Sequence, residues 1–565
     1  MGKRIVIIGG VAGGATAAAR ARRLDEEAEI TILEKGPYVS FANCGLPYFI
    51  SGDIQRRSHL LLQTPEGFFS RYRVNVRTNT EAVEIQREKK LVIVRTSAGD
   101  ETVPYDRLIL AQGGTPVIPA LPGVERDHVF TLWTIPQMDR IHKFIETQKP
   151  AAAVIAGGGF IGLEMAEALT ARGIAVTVVE LAPQVMITMD PEFGAMVRGG
   201  LEARGISVRT GVAVASITAD AVMLTDGSSV PAGMVLLSVG VRPQLTLAKA
   251  AGLEIGISGG LVVDETMRTG DADIYAAGDM VELVHKVHGK KVRIPLAGPA
   301  NRQGRIAATN ALGGRMVYRG ALGSSVVKLF GATAASTGLT EKGAREAGFD
   351  AGVAYVFKNN HVTYYPGSFP LALKLVYDMT TGRLLGGQAY GEAGVEKRID
   401  VLATALHGKM TLEDLAELDL AYAPPYNGAN DPVNLAAFVG LNHMNNFSPL
   451  RTPAEVLRDL PAARGVLLDV RTVGEASKAP LGGALHIPAD EVRDRLEEIP
   501  SGVPIYILSK DGFLGHTTLQ ILKGAGRTQV YNIAGGYAAA RWCTGWHFNA
   551  SITESIGTDN VVTTH

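Results

Sequence analysis

The sequence predicts an α/β chain in which two doubly wound parallel sheets precede an α+β unit and a small C-terminal α/β unit. Three observations carry this. An apolar strand, a glycine turn and a helix occur in that order twice, near residues 4–24 and 152–170. Each is followed by a second apolar strand that ends in glutamate, the pattern of a βαβ dinucleotide fold. After residue 440 the texture shifts again to short apolar strands punctuated by glycine. At 565 residues the chain has room for three or four domains.

The elements follow in order. Arg4-Ile-Val-Ile-Ile8 reads as a buried parallel strand, Gly9-Gly-Val-Ala-Gly-Gly14 as a turn, and about Ala15 to Leu24 as a helix. Ile30 to Leu33 is the second strand, ending at Glu34, 20 residues past Gly14. Glycines let backbone N–H groups at a helix start approach a pyrophosphate, and the later carboxylate takes a ribose hydroxyl. Gly9, Gly10, Val11, Ala12, Gly13, Gly14, Glu34 and Lys35 are therefore assigned to a first dinucleotide. Val11 replaces the middle glycine of G-x-G-x-x-G, so this motif is the weaker of the two. On the helix, Thr16, Arg20 and Arg23 fall on one face, which suits a polyanion or a solvated basic stripe.

Val39-Ser-Phe-Ala-Asn-Cys-Gly-Leu-Pro-Tyr48 holds Cys44, one of two cysteines. A thiol this close to a redox-cofactor turn suggests electron transfer through sulfur; the alternative is a small buried cysteine. Ser40 and Asn43 are good helix-entry residues, and a thiol at a helix N-terminus is expected to have a lowered pKa. No second cysteine lies nearby, so redox chemistry here uses one protein sulfur.

Tyr105 to Pro116, with Ala111 and Gly113, reads as a strand and crossover leaving the first nucleotide domain. Ala153-Val-Ile-Ala-Gly-Gly-Gly-Phe-Ile-Gly-Leu-Glu164 carries a full G-x-G-x-x-G at Gly157, Gly159 and Gly162, between a strand and a helix. Phe160, Ile161 and Glu164 go with it. The next strand, Ala175 to Val179, ends at Glu180 with no arginine immediately after, which predicts NADH rather than NADPH. Asp273-Ile-Tyr-Ala-Ala-Gly-Asp279 is a further strand ending in Gly278-Asp279.

The formal net charge of -1 gives no electrostatic case for nucleic acid or an anionic membrane. No apolar run reaches the ~18 residues of a membrane span. The first strand starts almost at the initiator, so no signal peptide is expected. Two cysteines make no disulfide framework, and a cytoplasmic location is expected.

Through these ordered motifs, residues 1–440 or so resemble the flavoprotein disulfide reductases with two dinucleotide folds. S-F-A-N-C-G-L-P-Y is similar to the single-cysteine branch: coenzyme A-disulfide reductase, NADH-dependent persulfide reductase, and NADH oxidase or peroxidase. The resemblance implies FAD at Gly9–Gly14, Glu34 and Lys35, at Ala111 and Gly113, and at Gly278–Asp279. It implies NADH at residues 157–164 and Glu180, with electrons passing by way of FAD to Cys44. Cys44 would rest as a mixed disulfide with a small thiol such as coenzyme A, and its freed thiolate would attack a disulfide, persulfide or polysulfide. Thr16, Arg20, Arg23, Ser40, Asn43, Arg71, Asn301 and His361 are the implied substrate-side residues. Tyr365 and Tyr422 match family tyrosines that reach the partner's cysteine in a homodimer. A lysine expected eight residues after Tyr422 is Asn430 here. An oxidase or peroxidase using a Cys44 sulfenate, or a redox-sensing interaction protein, are the alternatives.

The implied domains are an FAD domain in two parts (1–112 and 248–324), an NADH domain (113–247), a dimerisation domain (325–440), a linker (441–452), a C-terminal domain (453–548) and a polar tail (549–565). The C-terminal domain resembles a rhodanese, whose loop is C-x-x-G-x-R after an apolar strand. The matching stretch here is Ser509-Lys-Asp-Gly-Phe-Leu514: serine replaces the nucleophile and leucine the arginine, while Gly512 and Gly515 keep the turn. An inactive sulfurtransferase is expected. Cys543, in an Ala/Trp-rich helix, reads as structural.

Overall fold

The apolar runs at 4–8, 30–33 and 107–110 lack polar alternation because they are strands covered on both faces. In the computed structural model of the chain, which describes residues 2–462 and 465–546, they lie at the centre of one sheet. Its strand order is Ile274–Ala276, Arg107–Leu110, Arg4–Ile8, Glu29–Leu33, Val74–Arg77, all parallel. The first helix begins at Ala12 rather than near Ala15. It packs on the helix Ala297–Ala311, and its alanines Ala17, Ala18 and Ala21 are fully buried in this core.

A second parallel sheet repeats the arrangement in the order Ser207–Thr210, Ala175–Glu180, Ala152–Ala156, Met234–Leu237, Val129–Phe130. Both sheets belong to one unit, Met1–Pro183 with Ile206–Gly323. The two-sheet α/β reading from sequence holds.

The other unit combines Gln184–Gly205 with the chain from Ser324 onward. The expected partition kept residues 113–247 together; instead the helix Pro191–Glu202 joins the antiparallel sheet of this unit. A buried ion cluster ties it there. Lys374, on the strand Pro370–Asp378, is fully buried, and its Nζ lies 2.8 Å from Asp190, 2.7 Å from Glu192 and 3.0 Å from Glu341. The sheet runs Ser325–Leu329, Ala332–Gly338, Leu384–Gly391, Pro370–Asp378, Ala351–Asn359.

The expected linker is shorter than the sequence suggests. The helix Pro432–Met444 runs into it, capped at Asp431, whose carboxylate accepts from Val433 N–H. Leu450–Arg451 is already an edge strand of the C-terminal sheet. That sheet is parallel, in the order Leu450–Arg451, Val530–Ile533, Ile505–Leu508, Val466–Asp469, Leu485–His486. Cys543 lies beyond the end of the helix Gly536–Ala540, half-buried against the core there. The tail expected at 549–565 lies outside the described residues.

Candidate active site

The two glycine turns are built alike. At Gly9 (φ +97°) an added Cβ would sit 2.3 Å from the Ala111 carbonyl oxygen, and at Gly157 (φ +109°) 2.4 Å from that of Ser238. At the last glycine of each motif, Gly14 and Gly162, it would sit 1.8 Å and 2.0 Å from the first glycine's oxygen. A Cβ at the middle glycine, Gly159, would meet nothing within 4 Å. That explains how Val11 stands at this place in the first motif: the fold demands the outer glycines and leaves the middle one to the ligand.

Each turn is tied to its carboxylate. Glu34 accepts from Gly10 N–H (2.9 Å) and Gly36 N–H (2.8 Å); Glu180 accepts from Gly158 N–H (2.7 Å) and Ala182 N–H (2.8 Å). Burial holds Glu34 above the usual carboxylate range, opposed by its two N–H donors. Neither following helix has a side-chain cap or an acidic residue in its first turn, so no side chain caps the first amides of either helix, those at Ala12, Gly13 and Gly14 and those at Phe160 and Ile161, a setting that suits an anion. Gly278 N–H donates to Gln303 Oε1, 2.8 Å. Next to it burial pushes Asp279 up to about 6. Gly113 takes a left-handed turn (φ +64°) just past the strand Arg107–Leu110. Lys35 is exposed and ion-paired with Glu81, 2.7 Å.

Cys44 is exposed, within a three-residue turn, Asn43–Gly45, that leads into the helix Leu46–Ser51. The expected lowering of its pKa is overturned. Surrounding protein desolvates the thiol and pushes it up, and the carboxylates of Glu164 and Asp279 add to this. Cys44 lies two residues before that helix, and the lowering by a backbone hydrogen bond at the thiol is the smallest of the effects on it. Ser40 and Asn43 do not cap it either; the cap positions are Ala42 and Gly45. Ser40 has φ +45°, and its N–H donates to the Gly10 carbonyl at 2.8 Å, fixing the cysteine segment to the glycine turn. The Asn43 amide donates to the Trp133 carbonyl.

Of the substrate-side residues, Thr16 and Asn301 meet, Thr16 Oγ1 donating to Asn301 Oδ1 at 2.7 Å. Arg20 Nε donates to Thr309 Oγ1 at 3.1 Å; the basic face of the first helix is thus partly spent on its partner helix. Burial, then Arg305 and Arg23, lower the Arg20 pKa, and Arg305 is a cation of this seam that the sequence reading missed. Arg23 is exposed, as is Arg71 in the last turn of Pro65–Tyr72.

In the other unit His361 is a correction. It is 6% exposed, and its ring nitrogens lie 3.0 Å from the Val362 and Gly367 carbonyls of its own loop, which leaves little to offer a substrate. Tyr422 and Tyr365 are exposed. Tyr422 OH pairs with Tyr364 OH at 3.3 Å, whereas Tyr365 packs edge-on against His361. Sequence motif alone could not separate two adjacent tyrosines.

Residues 3–304 match the Pyridine nucleotide-disulphide oxidoreductase family, and residues 324–431 its dimerisation domain. The chain belongs to the pyridine nucleotide-disulphide oxidoreductases. Among relatives of this family, it is 36% identical over 441 residues to the NAD(P)H sulfur oxidoreductase (CoA-dependent) of Pyrococcus abyssi, covering 77% of this chain and 98% of that one. It is 33% identical over 440 residues to the coenzyme A disulfide reductase of Staphylococcus haemolyticus, covering 77% and 99%. Of solved structures, reduced Bacillus anthracis CoADR-RHD superposes with a TM-score of 0.93 at 40% identity, covering 96% of this chain and 98% of that one. The NAD-dependent persulfide reductase of A. fulgidus does so at 0.89 and 37%, covering 95% and 99%.

Pyridine nucleotide-disulphide oxidoreductases use FAD and NAD(P)H. The residues here fit both: two glycine cradles that a Cβ would fill, two uncapped helix starts, and one carboxylate anchored beside each turn.

Proposed function

We propose that the chain is an FAD- and NADH-dependent reductase of coenzyme A-linked disulfides, persulfides or polysulfides, acting through Cys44. The observation that carries the reading is an exposed, single cysteine in the unit that holds both dinucleotide turns. Gly9–Gly14, Glu34 and Asp279 would hold FAD, and Gly157–Gly162 with Glu180 would hold NADH. Bound there, the two cofactors supply the electrons that reduce sulfur at Cys44.

The protein's own part follows from its residues. Ser40, through its backbone N–H, and Asn43, through its side-chain amide, fix the cysteine segment to backbone carbonyls. The freed Cys44 thiolate attacks one sulfur of the substrate's S–S bond; that bond breaks as the Cys44–sulfur bond forms, and the departing sulfur takes a proton and leaves as a thiol. Arg20, Arg23 and Arg305, beside Thr16 and Asn301, offer a polyanion charge-assisted hydrogen bonds, which suits the phosphates of coenzyme A. Tyr365 and Tyr422 would act across a homodimer. The C-terminal domain is rhodanese-like and lacks the sulfur-carrying thiol.

Cys44→Ser should bind FAD and let NADH bleach it, because neither needs the thiol, while turnover with coenzyme A-disulfide or polysulfide disappears. Parallel assays with hydrogen peroxide test the oxidase or peroxidase alternative. Sulfur turnover in Cys44→Ser within tenfold of the parent, ~1.4 kcal/mol of barrier, would defeat the reading.

A further inference from the structure

The first helix, Ala12–Leu24, and the helix Ala297–Ala311 meet along a seam of close backbone contact. A Cβ added to Gly304 would sit 2.2 Å from the Gly13 carbonyl oxygen, so the two backbones touch beside the first glycine turn. Farther along, Arg20 reaches across to the buried Thr309. The Thr309 hydroxyl donates to the Arg305 carbonyl, one turn back, at 2.7 Å, and its oxygen accepts from Arg20 Nε at 3.1 Å. We propose, on the reading of Arg20 as a substrate residue, that Thr309 is its positioning residue: the hydroxyl holds the guanidinium in advance and leaves the terminal nitrogens for the phosphates of a coenzyme A-linked substrate.

The hydrogen-bond roles are set by the helix. A threonine inside a helix can return its proton to the carbonyl four residues back. With that proton spent on Arg305, the Thr309 oxygen can only accept, and the donor it meets is Arg20 Nε. Among the described residues the terminal nitrogens of Arg20 have no partner, and no carboxylate pairs with Arg20, Arg23 or Arg305. Cations gathered on one seam without a counter-ion repel one another, and a bound polyanion relieves that repulsion through charge-assisted hydrogen bonds. Thr16 makes the corresponding bond to Asn301 on the same seam, 2.7 Å, so each helix offers a polar head already fixed by a threonine of the other. A long side chain left free must be ordered when substrate binds; one held beforehand is spared most of that cost.

Binding without turnover tests this. FAD-loaded Cys44→Ser protein, in which no thiol exchange can occur at residue 44, is titrated calorimetrically with coenzyme A disulfide and with pantethine, the disulfide that lacks the phosphorylated nucleotide. Thr309→Val, which keeps the shape and loses the hydroxyl, should weaken coenzyme A disulfide about two- to tenfold, the ~0.5–1.5 kcal/mol of ordering one long side chain. Pantethine should be unaffected. Thr309→Ser, which keeps the hydroxyl, should keep the parent affinity, and Thr309→Val should add nothing in an Arg20→Ala background. Equal weakening of both disulfides, or by Val and Ser alike, would make Thr309 a packing residue and overturn the proposal. If Thr309→Val does not retain flavin, Thr309→Ala is judged by the same criteria. Weaker binding in Arg20→Ala but not in Thr309→Val overturns this inference alone. A parent that binds coenzyme A disulfide no better than pantethine overturns the substrate reading of the seam with it.

Discussion

Replacing Lys374 with methionine should cost the full-length protein about 3–5 kcal/mol, the range for a buried charge pair that loses one partner. Lys374 has no exposed surface and sits 2.7–3.0 Å from three carboxylates. Methionine has a similar length and fills awkward space well, so the loss is chiefly one of charge. Glu341 would keep Arg345 at 2.7 Å. Asp190 and Glu192 would keep neutral donors, the Gln388 amide and the Glu341 backbone N–H on Asp190 and the Tyr355 hydroxyl on Glu192. Two buried carboxylates left without their cation carry uncompensated charge, which is the source of the loss. Urea unfolding followed by tryptophan fluorescence measures it. Hydrogen exchange across Pro191–Glu202, where Gly199 lies under the Trp542 ring, localises it. Adding Glu192→Gln and Asp190→Asn should restore most of the loss. A change below ~1 kcal/mol at pH 8 with unaltered exchange in that helix would mean the buried-pair magnitude does not apply here.

Other outcomes follow from the same geometry. Gly162→Ala should lower stability by about 1–3 kcal/mol through forced overpacking and abolish NADH binding. Gly159→Ala should keep the parent's melting temperature to within about 2 °C, roughly the ±0.5 kcal/mol expected of a change that touches nothing. Thermal melts and NADH titration of the flavoprotein separate the two. Replacing Arg20 and Arg23 together with alanine should raise KM for coenzyme A-disulfide severalfold and leave small polysulfides nearly unaffected; equal effects on both would assign those arginines to helix packing.

What could be read from the sequence was local. Glycine spacing, apolar runs and a glutamate after each second strand lie within about 35 residues, and turn chemistry carries them. Gly9, Glu34, Gly157 and Glu180 accordingly stand where spacing placed them. What escaped depends on distant partners. The helix Pro191–Glu202 looks like one more helix of its domain until Lys374, 182 residues beyond Glu192, claims it. The Cys44 pKa was misjudged because a helix start is visible in sequence, whereas Glu164 and Asp279 converge only in the fold. His361 was misjudged because no pattern shows a ring turned back onto its own loop.

The last expectation concerns the C-terminal unit. Ser509, at the end of the strand Ile505–Leu508, is 0% exposed, and its hydroxyl oxygen accepts from Gly512 N–H at 3.0 Å. The Asn532 amide holds the Gly512 carbonyl at 3.0 Å. Asp511 takes Phe513 N–H at 3.1 Å and faces Lys358 Nζ at 3.6 Å, so an anion already occupies part of the helix entrance. Leu514 packs on the core of this unit. A serine hydroxyl cannot carry sulfur as a persulfide, whereas a thiol of pKa ≈ 8.5 in such a cradle can. No thiosulfate:cyanide sulfur transfer is therefore expected from the unaltered protein, and none should appear in Cys44→Ser. Ser509→Cys should add a trace, and Ser509→Cys with Leu514→Arg more, once a cation steadies the anionic donor. Transfer by the unaltered chain that survives Cys44→Ser and is lost in Cys543→Ser would show the sulfur is carried elsewhere than the 509–514 loop.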